Sequence, residues 1–78
     1  MKTTRLSAVL KGQFAHIRRL PEGVLRSHFI RLGIIEGTEI RCLERLPGGT
    51  MVLQFRRREV ALSADLTEAV WVAVEQAL

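Results

Sequence analysis

Three side chains in the sequence have the chemistry of a nucleophile or a general base: Cys42, His16 and His28. A catalytic nucleophile needs a base within hydrogen-bond reach and a third group that orients that base. Cys42 alternates with Ile40 on the face of a strand that we expect to be buried, where a free cysteine is usually a small apolar side chain. His16 lies on the opposite strand face to Ile17 and is expected in solvent. The sequence therefore predicts no catalytic site and no enzyme.

The sequence also lacks the motifs of metal-binding and nucleotide-binding sites. A metal site needs several convergent ligands, and the two histidines stand twelve positions apart on different predicted elements. Glu22 near His28, or Glu44 near Cys42, could come together only by chance. No glycine-rich phosphate loop followed by a lysine is present. We expect no bound metal and no cofactor.

The arginines are the remaining side chains that could carry a function. Residues 1–58 hold all 12 Lys and Arg, ten of them Arg, against four acids, whereas residues 59–78 hold four acids and no basic residue. A guanidinium group forms two-pronged pairs with carboxylates and phosphates. A basic face could therefore meet an acidic protein, nucleic acid or anionic lipid. The alternative is a solvated surface whose Arg stems cover a thin sheet.

The length and composition define the scaffold that must position these arginines. Seventy-eight residues predict one domain, residues 1–78, and the 47% hydrophobic content indicates a folded chain. No segment reaches the roughly 18 apolar residues of a membrane helix. The first apolar stretch is interrupted by Lys11, which argues against a signal peptide. Together with a single cysteine, Cys42, this predicts a cytoplasmic protein.

Apolar alternation and turn residues predict a mainly β fold, a small β-barrel of about five strands with one short inserted α-helix. Closure of the barrel would remove exposed sheet edges. The predicted strands cover residues 14–20, 38–46, 50–56, 58–62 and 70–74. The predicted helix covers residues 24–33, with single helical turns near residues 6–13 and 63–69.

The helix and the segment after it carry the clearest local pattern. Leu25, Phe29 and Leu32 have helical spacing and are expected to face the core. Gly33 and Gly37 are expected to form a structural corner, with Gly33 ending the helix at positive φ and Gly37 turning the chain into the next strand. Ile34 and Ile35 would fill this corner. Apart from Trp71, which is expected to face outward because it alternates with Val70 and Val72, the aromatic residues are expected on core faces.

These features together resemble the FeoA family, small cytosolic proteins of bacterial ferrous iron transport with an SH3-like barrel. The resemblance runs from about Leu6 to Val74. It is carried by residues whose order and spacing match the family pattern: Leu6, Gly12, Ala15, Ile17, Phe29, Ile30, Leu32, Gly33, Ile34, Gly37, Met51, Leu53, Phe55, Ala61, Leu62, Val70 and Val72. Several positions depart from that pattern: Phe29 replaces a Leu, Ser63 replaces a common basic residue, and the turn at residues 47–49 is about one residue short. His28 replaces a frequent Arg, Glu36 replaces a usual Pro, and Arg57 occupies a hairpin position that is often Gly and would require positive φ.

The resemblance implies a protein that docks to the cytosolic part of a membrane ferrous iron transporter with a GTPase domain (FeoB-like) and modulates transport. For Ile30, packing beneath the corner is favoured over an exposed contact. The candidate partner-binding residues are Arg26, Ile30, Arg31, Arg41, Arg45, Arg56, Arg58 and Trp71.

Three alternatives stay open. Small SH3-like barrels also bind nucleic acid, but such binders usually add exposed aromatic residues for base stacking, and a protein partner is therefore favoured over nucleic acid. The chain could also be a detached relative of the barrel domain of iron-dependent transcription regulators, without their DNA-binding motif. A homo-oligomer is the third alternative.

Overall fold

The computed structural model describes residues 2–75 and shows one antiparallel sheet with two short helices. The strands are β1 (Lys2–Arg5), β2 (Phe14–Arg19), β3 (Glu39–Arg45), β4 (Met51–Phe55), β5 (Arg58–Leu62) and β6 (Trp71–Val74). The helices are α1 (Val24–Leu32) and α2 (Ala64–Glu68), with a 3-10 turn at Leu6–Ala8. The predicted mainly β class is confirmed. None of the helices formed by residues 2–75 is long and apolar enough to cross a membrane.

The sheet has six strands rather than the predicted five, in the order β1-β6-β2-β3-β4-β5. The sequence analysis missed β1 because its four residues, Lys-Thr-Thr-Arg, show no apolar alternation. The strand pairs only with β6, from Lys2 opposite Val74 to Arg5 opposite Trp71. In the described residues the hydrogen-bonded ladder ends at β1 and β5, so the expected removal of both sheet edges does not occur.

The sheet surrounds one hydrophobic core, and the two-residue period of each strand decides which side chains enter it. The predicted inward positions are buried. They are Ala15 and Ile17 of β2, Ile40 and Cys42 of β3, Met51, Leu53 and Phe55 of β4, and Val70, Val72 and Val74 in and before β6.

Helix α1 forms where it was predicted, but it contacts the core through fewer side chains than expected. Phe29 is its one buried residue, and Leu32 is partly buried against the core. Leu25 is 41% exposed and Ile30 is 49% exposed. The expected burial of Leu25 and the favoured packing of Ile30 are therefore wrong. The buried positions lie in the C-terminal half of the helix, so Leu25 in the first turn extends beyond the core.

The corner after α1 follows the predicted geometry at both glycines. Gly33 has φ 89° and its N–H donates to the Ile30 carbonyl at 2.9 Å. Gly37 has φ 91° and its N–H donates to the Ile17 carbonyl at 2.7 Å, which ties the corner to β2. Ile34 is fully buried, whereas Ile35 is 45% exposed, so only the first isoleucine fills the corner.

We expect Gly33→Val to destabilise the domain by about 2 kcal/mol, because a β-branched residue must adopt a left-handed conformation. Space is not the obstacle: a Cβ at Gly33 would lie 3.6 Å from Phe55 Cε2 and 3.7 Å from Arg58 Nη1, which are ordinary contacts. Thermal unfolding should show a lower melting temperature, by about 8–16 °C for a domain of this size. Gly33→Asn is the control, since Asn tolerates this conformation. Equal losses for both variants would contradict the assignment.

Candidate protein-binding surface

The candidate nucleophile Cys42 and the candidate base His16 have different neighbours in the structure. Cys42 is fully buried, its Sγ contacts the Glu44 carbonyl at 3.7 Å, and burial raises the pKa of the thiol. His16 is half-buried rather than solvated, and its Nε2 lies 3.4 Å from Glu39 Oε2 on the neighbouring strand. Between residues 2 and 75, no three His, Cys, Asp or Glu side chains form a group that could hold a metal ion.

Arg26, one of the predicted partner-binding residues, forms an ion pair within the chain. Its two terminal nitrogens lie 3.1 and 3.2 Å from the Glu36 carboxylate, which also accepts a hydrogen bond from the Leu20 N–H at 3.4 Å. Hydrogen bonds from the backbone N–H of Glu36 itself and from Arg26 lower the pKa of this carboxyl. The unusual glutamate before Gly37 thus connects α1 to the segment that enters β3.

Arg45 and Trp71 also have contacts within the chain. Arg45 donates from Nη1 to the Val9 carbonyl at 3.2 Å. Trp71 faces outward, 37% exposed, but the Arg5 guanidinium lies 4.9 Å from the centre of its ring. Arg5 is held there by a hydrogen bond of 2.8 Å to the Glu68 carbonyl. One face of the indole is therefore already covered.

Ile30, Arg31 and Arg58 lie at or near helix α1. Ile30 and Arg31 are exposed on the helix, and Arg31 belongs to its last turn. Arg58 lies near the C-terminal end of the helix: its Nη1 is 3.7 Å from the position that a Cβ atom would occupy if Gly33 had one. A cation is favourable there because the C-terminus of a helix carries a partial negative charge.

Arg41 and Arg56 share a shallow surface groove with two residues that were not among the candidates. We call this feature the arginine groove and define it by Phe14, Arg41, Arg56 and Arg57, which line it. Arg41 pairs with Phe14 on β2 and with Gln54 on β4, so the three side chains lie side by side on the outer face of the sheet. The Arg41 guanidinium lies 5.3 Å from the centre of the Phe14 ring.

Phe14 was wrongly expected on a core face. It is 47% exposed, whereas Phe29 and Phe55 are buried as predicted. The signal was available, because Phe14 directly precedes the buried Ala15 and must therefore point to the other side of β2.

Arg56 and Arg57 form the two-residue turn between β4 and β5, flanked by the pair Phe55 and Arg58. Their φ angles are 47° and 63°, and they are the two non-glycine residues with positive φ in the described part of the chain. Positive φ at both central positions is the pattern of a type I′ turn, which Asn-Gly prefers. The positive φ predicted for Arg57 is present. The structure therefore places the predicted residues on several separate areas. The arginine groove brings the guanidinium group of Arg41 on β3 beside those of the turn between β4 and β5.

The family comparison identifies one family, and the structural comparison shows one fold. The family model described as "FeoA domain" matches residues 4–74. A search of curated proteins by sequence gives no significant match. A crystal structure described as an iron uptake regulatory protein (FeoA) is 21% identical, with a TM-score of 0.87 over 95% of this chain and 100% of that chain. The predicted SH3-like fold is thereby confirmed, as a barrel whose hydrogen-bonded ladder is open between β1 and β5 in the described residues.

Two further structures show how widely the fold is shared. Iron(II) transport protein A from Clostridium thermocellum is 27% identical, with a TM-score of 0.84 over 91% of this chain and 45% of that chain. A manganese-dependent transcriptional repressor is 21% identical, with a TM-score of 0.86 over 94% of this chain and 42% of that chain. The likeness to the repressor concerns the fold alone.

Proposed function

The chain belongs to the FeoA family, and from this premise we propose that it is a non-enzymatic accessory protein of ferrous iron transport. Its partner is the cytosolic part of a membrane ferrous iron transporter that carries a GTPase domain. The observation that supports this proposal most directly is the family match itself, which extends over residues 4–74 of a 78-residue chain. Within this proposal the domain acts by binding the transporter through its surface.

The surface has the composition of a binding module. It combines exposed arginines with large apolar side chains that are exposed to solvent, and arginine and aromatic residues are enriched in protein interfaces. The exposed large apolar residues are Leu10, Phe14, Val24, Leu25, Ile30, Ile35, Leu46 and Trp71. Two areas are suited to docking: the helix surface with Ile30 and Arg31, and the arginine groove.

The same surface is less suited to nucleic acid. Binding of single strands relies on aromatic side chains on which bases stack. Of the two exposed aromatic rings, Trp71 carries the Arg5 guanidinium and Phe14 carries that of Arg41. Each ring therefore has at most one face left for a base, fewer than a platform for successive stacked bases provides, and this favours a protein partner over RNA.

The proposal is tested by titrating the protein with the purified cytosolic part of the transporter and, separately, with mixed RNA, each at two salt concentrations. We expect saturable binding to the transporter domain. An unrelated acidic protein of similar size serves as the control for unspecific charge attraction. RNA binding that falls steeply with salt, together with no binding to the transporter domain, would overturn the proposal.

A further inference from the structure

We infer that the arginine groove is the docking site for an acidic segment of the partner protein, one that presents carboxylates beside an apolar side chain. The inference rests on the proposed function, because it takes the partner to be the cytosolic part of the transporter. Beyond the proposed function, the inference specifies the face of the protein that docks and the chemical groups of the partner that this face recognises. Carboxylates would pair with Arg41, Arg56 and Arg57, and the apolar side chain would cover the exposed part of Phe14.

The backbone of the turn is the first observation behind this inference. Arg56 and Arg57 both hold a left-handed conformation that side-chain-bearing residues seldom adopt. The fold itself does not call for arginine at these positions, since Asn-Gly forms the same turn with less strain. Strained residues tend to occur where the surrounding structure serves a function. Two adjacent strained arginines at the tip of a hairpin therefore indicate that their guanidinium groups take part in binding.

The charge of the groove is the second observation. Within residues 2–75 the ion pairs are Lys11–Glu44, His16–Glu39 and Arg26–Glu36. None of them involves an arginine of the groove, so its three guanidinium groups have no carboxylate partner in that part of the chain. A guanidinium group without such a partner can form a two-pronged pair with an incoming carboxylate. An acidic segment complements this charge.

The surroundings of the groove favour a protein segment over a nucleic acid. Glu39 lines the groove, and Glu59 lies across from Gln54 on the neighbouring strand. These carboxylates repel a continuous phosphate backbone, whereas a protein segment can place its acidic residues only opposite the arginines. The Phe14 ring already carries the Arg41 guanidinium, which leaves its exposed part for an apolar contact rather than for stacking between bases.

The decisive variant is Arg56→Asn combined with Arg57→Gly, which installs the preferred turn sequence and removes two guanidinium groups. We expect the melting temperature to rise by about 4–8 °C or more, because the turn strain is relieved. We expect affinity for the cytosolic part of the transporter, measured by calorimetry or interferometry, to fall about 10-fold or more. A more stable protein that binds less tightly cannot be explained by loss of folding.

The matched control is Lys2→Gln combined with Arg18→Gln, which removes two positive charges from exposed positions outside the groove. This control should retain the wild-type affinity within about twofold. If the control weakens binding as much as the turn variant, or if the turn variant binds the transporter domain like the wild type, the inference is overturned while the proposed function stands. If the wild type itself does not bind the transporter domain, both fail. Loss of RNA binding alone in the turn variant would also overturn the inference.

Discussion

Replacing Phe29 by alanine is expected to lower the free energy of unfolding by about 3–5 kcal/mol, which is the usual result of emptying a large aromatic site in a core. Phe29 is the one buried side chain of helix α1 and a member of the hydrophobic core. A helix of nine residues is too short to be stable alone in water, so it depends on this contact. Because small domains are marginally stable, the variant is expected to be largely unfolded or close to it. Circular dichroism without denaturant measures the folded fraction that remains, and denaturant unfolding of the wild type gives the reference free energy.

Leu25→Ala is the matched control for this prediction. Both substitutions remove a large apolar side chain from the same helix, but Leu25 is 41% exposed, so its removal is expected to cost only about 1 kcal/mol. Comparable losses for the two variants would mean that the first turn of α1 also packs on the core. Amide exchange adds a second readout, since in the wild type the amides of the first turn should exchange before those near Phe29.

Gly49→Ala is expected to produce the second large effect, about 2–4 kcal/mol of destabilisation. Gly49 has φ 93°, and a Cβ placed on it would lie 2.7 Å from the Cβ of Ala64, the first residue of α2. The penalty therefore combines a strained backbone, about 1–2 kcal/mol, with overpacking against a helix that must shift, about 1–3 kcal/mol. Denaturant unfolding of the purified variant measures the sum.

Gly48 provides the control in the preceding position. It has φ 88°, but a Cβ there would meet no atom within 4 Å, so Gly48→Ala should show the backbone penalty alone. A double-mutant cycle with Ala64→Gly isolates the clash, because removing the opposing methyl group should restore part of the stability lost in Gly49→Ala. If Gly48→Ala and Gly49→Ala are equally destabilising, or if no coupling to Ala64 is found, the close approach of the turn to α2 is absent.

The parts of the fold that the sequence predicted are those in which burial follows a simple period. The alternation of Met51, Leu53 and Phe55 identifies β4 because every second residue enters the core. β1 could not be found in this way, since an outer strand with mostly exposed residues needs no apolar pattern. Leu25 shows the corresponding limit for a helix. Its spacing from Phe29 matched that of a buried face, but the number of helical turns that are buried depends on how far the core extends beneath the helix.

The candidate surface was less predictable because it depends on the order and register of neighbouring strands. Arg41 and Arg56 could be proposed from charge alone, but their closeness to Phe14 follows from the register of β2, β3 and β4. Likewise, nothing in the composition distinguishes Arg26, which is engaged by Glu36, from an arginine without an internal partner. Pairing between residues distant in sequence is a property of the folded sheet.

The place of β6 in the sheet has a consequence for biosynthesis. β6 lies between β1 and β2, so the last of the six strands to leave the ribosome completes the ladder between the first two. During synthesis β1 therefore remains unpaired until nearly all of the domain has emerged from the ribosome. Sheets that depend on such distant pairing form slowly and leave apolar strands unprotected in the meantime. The polar composition of β1 is compatible with this delay, because a segment of lysine, threonine and arginine remains well solvated until β6 is available for pairing.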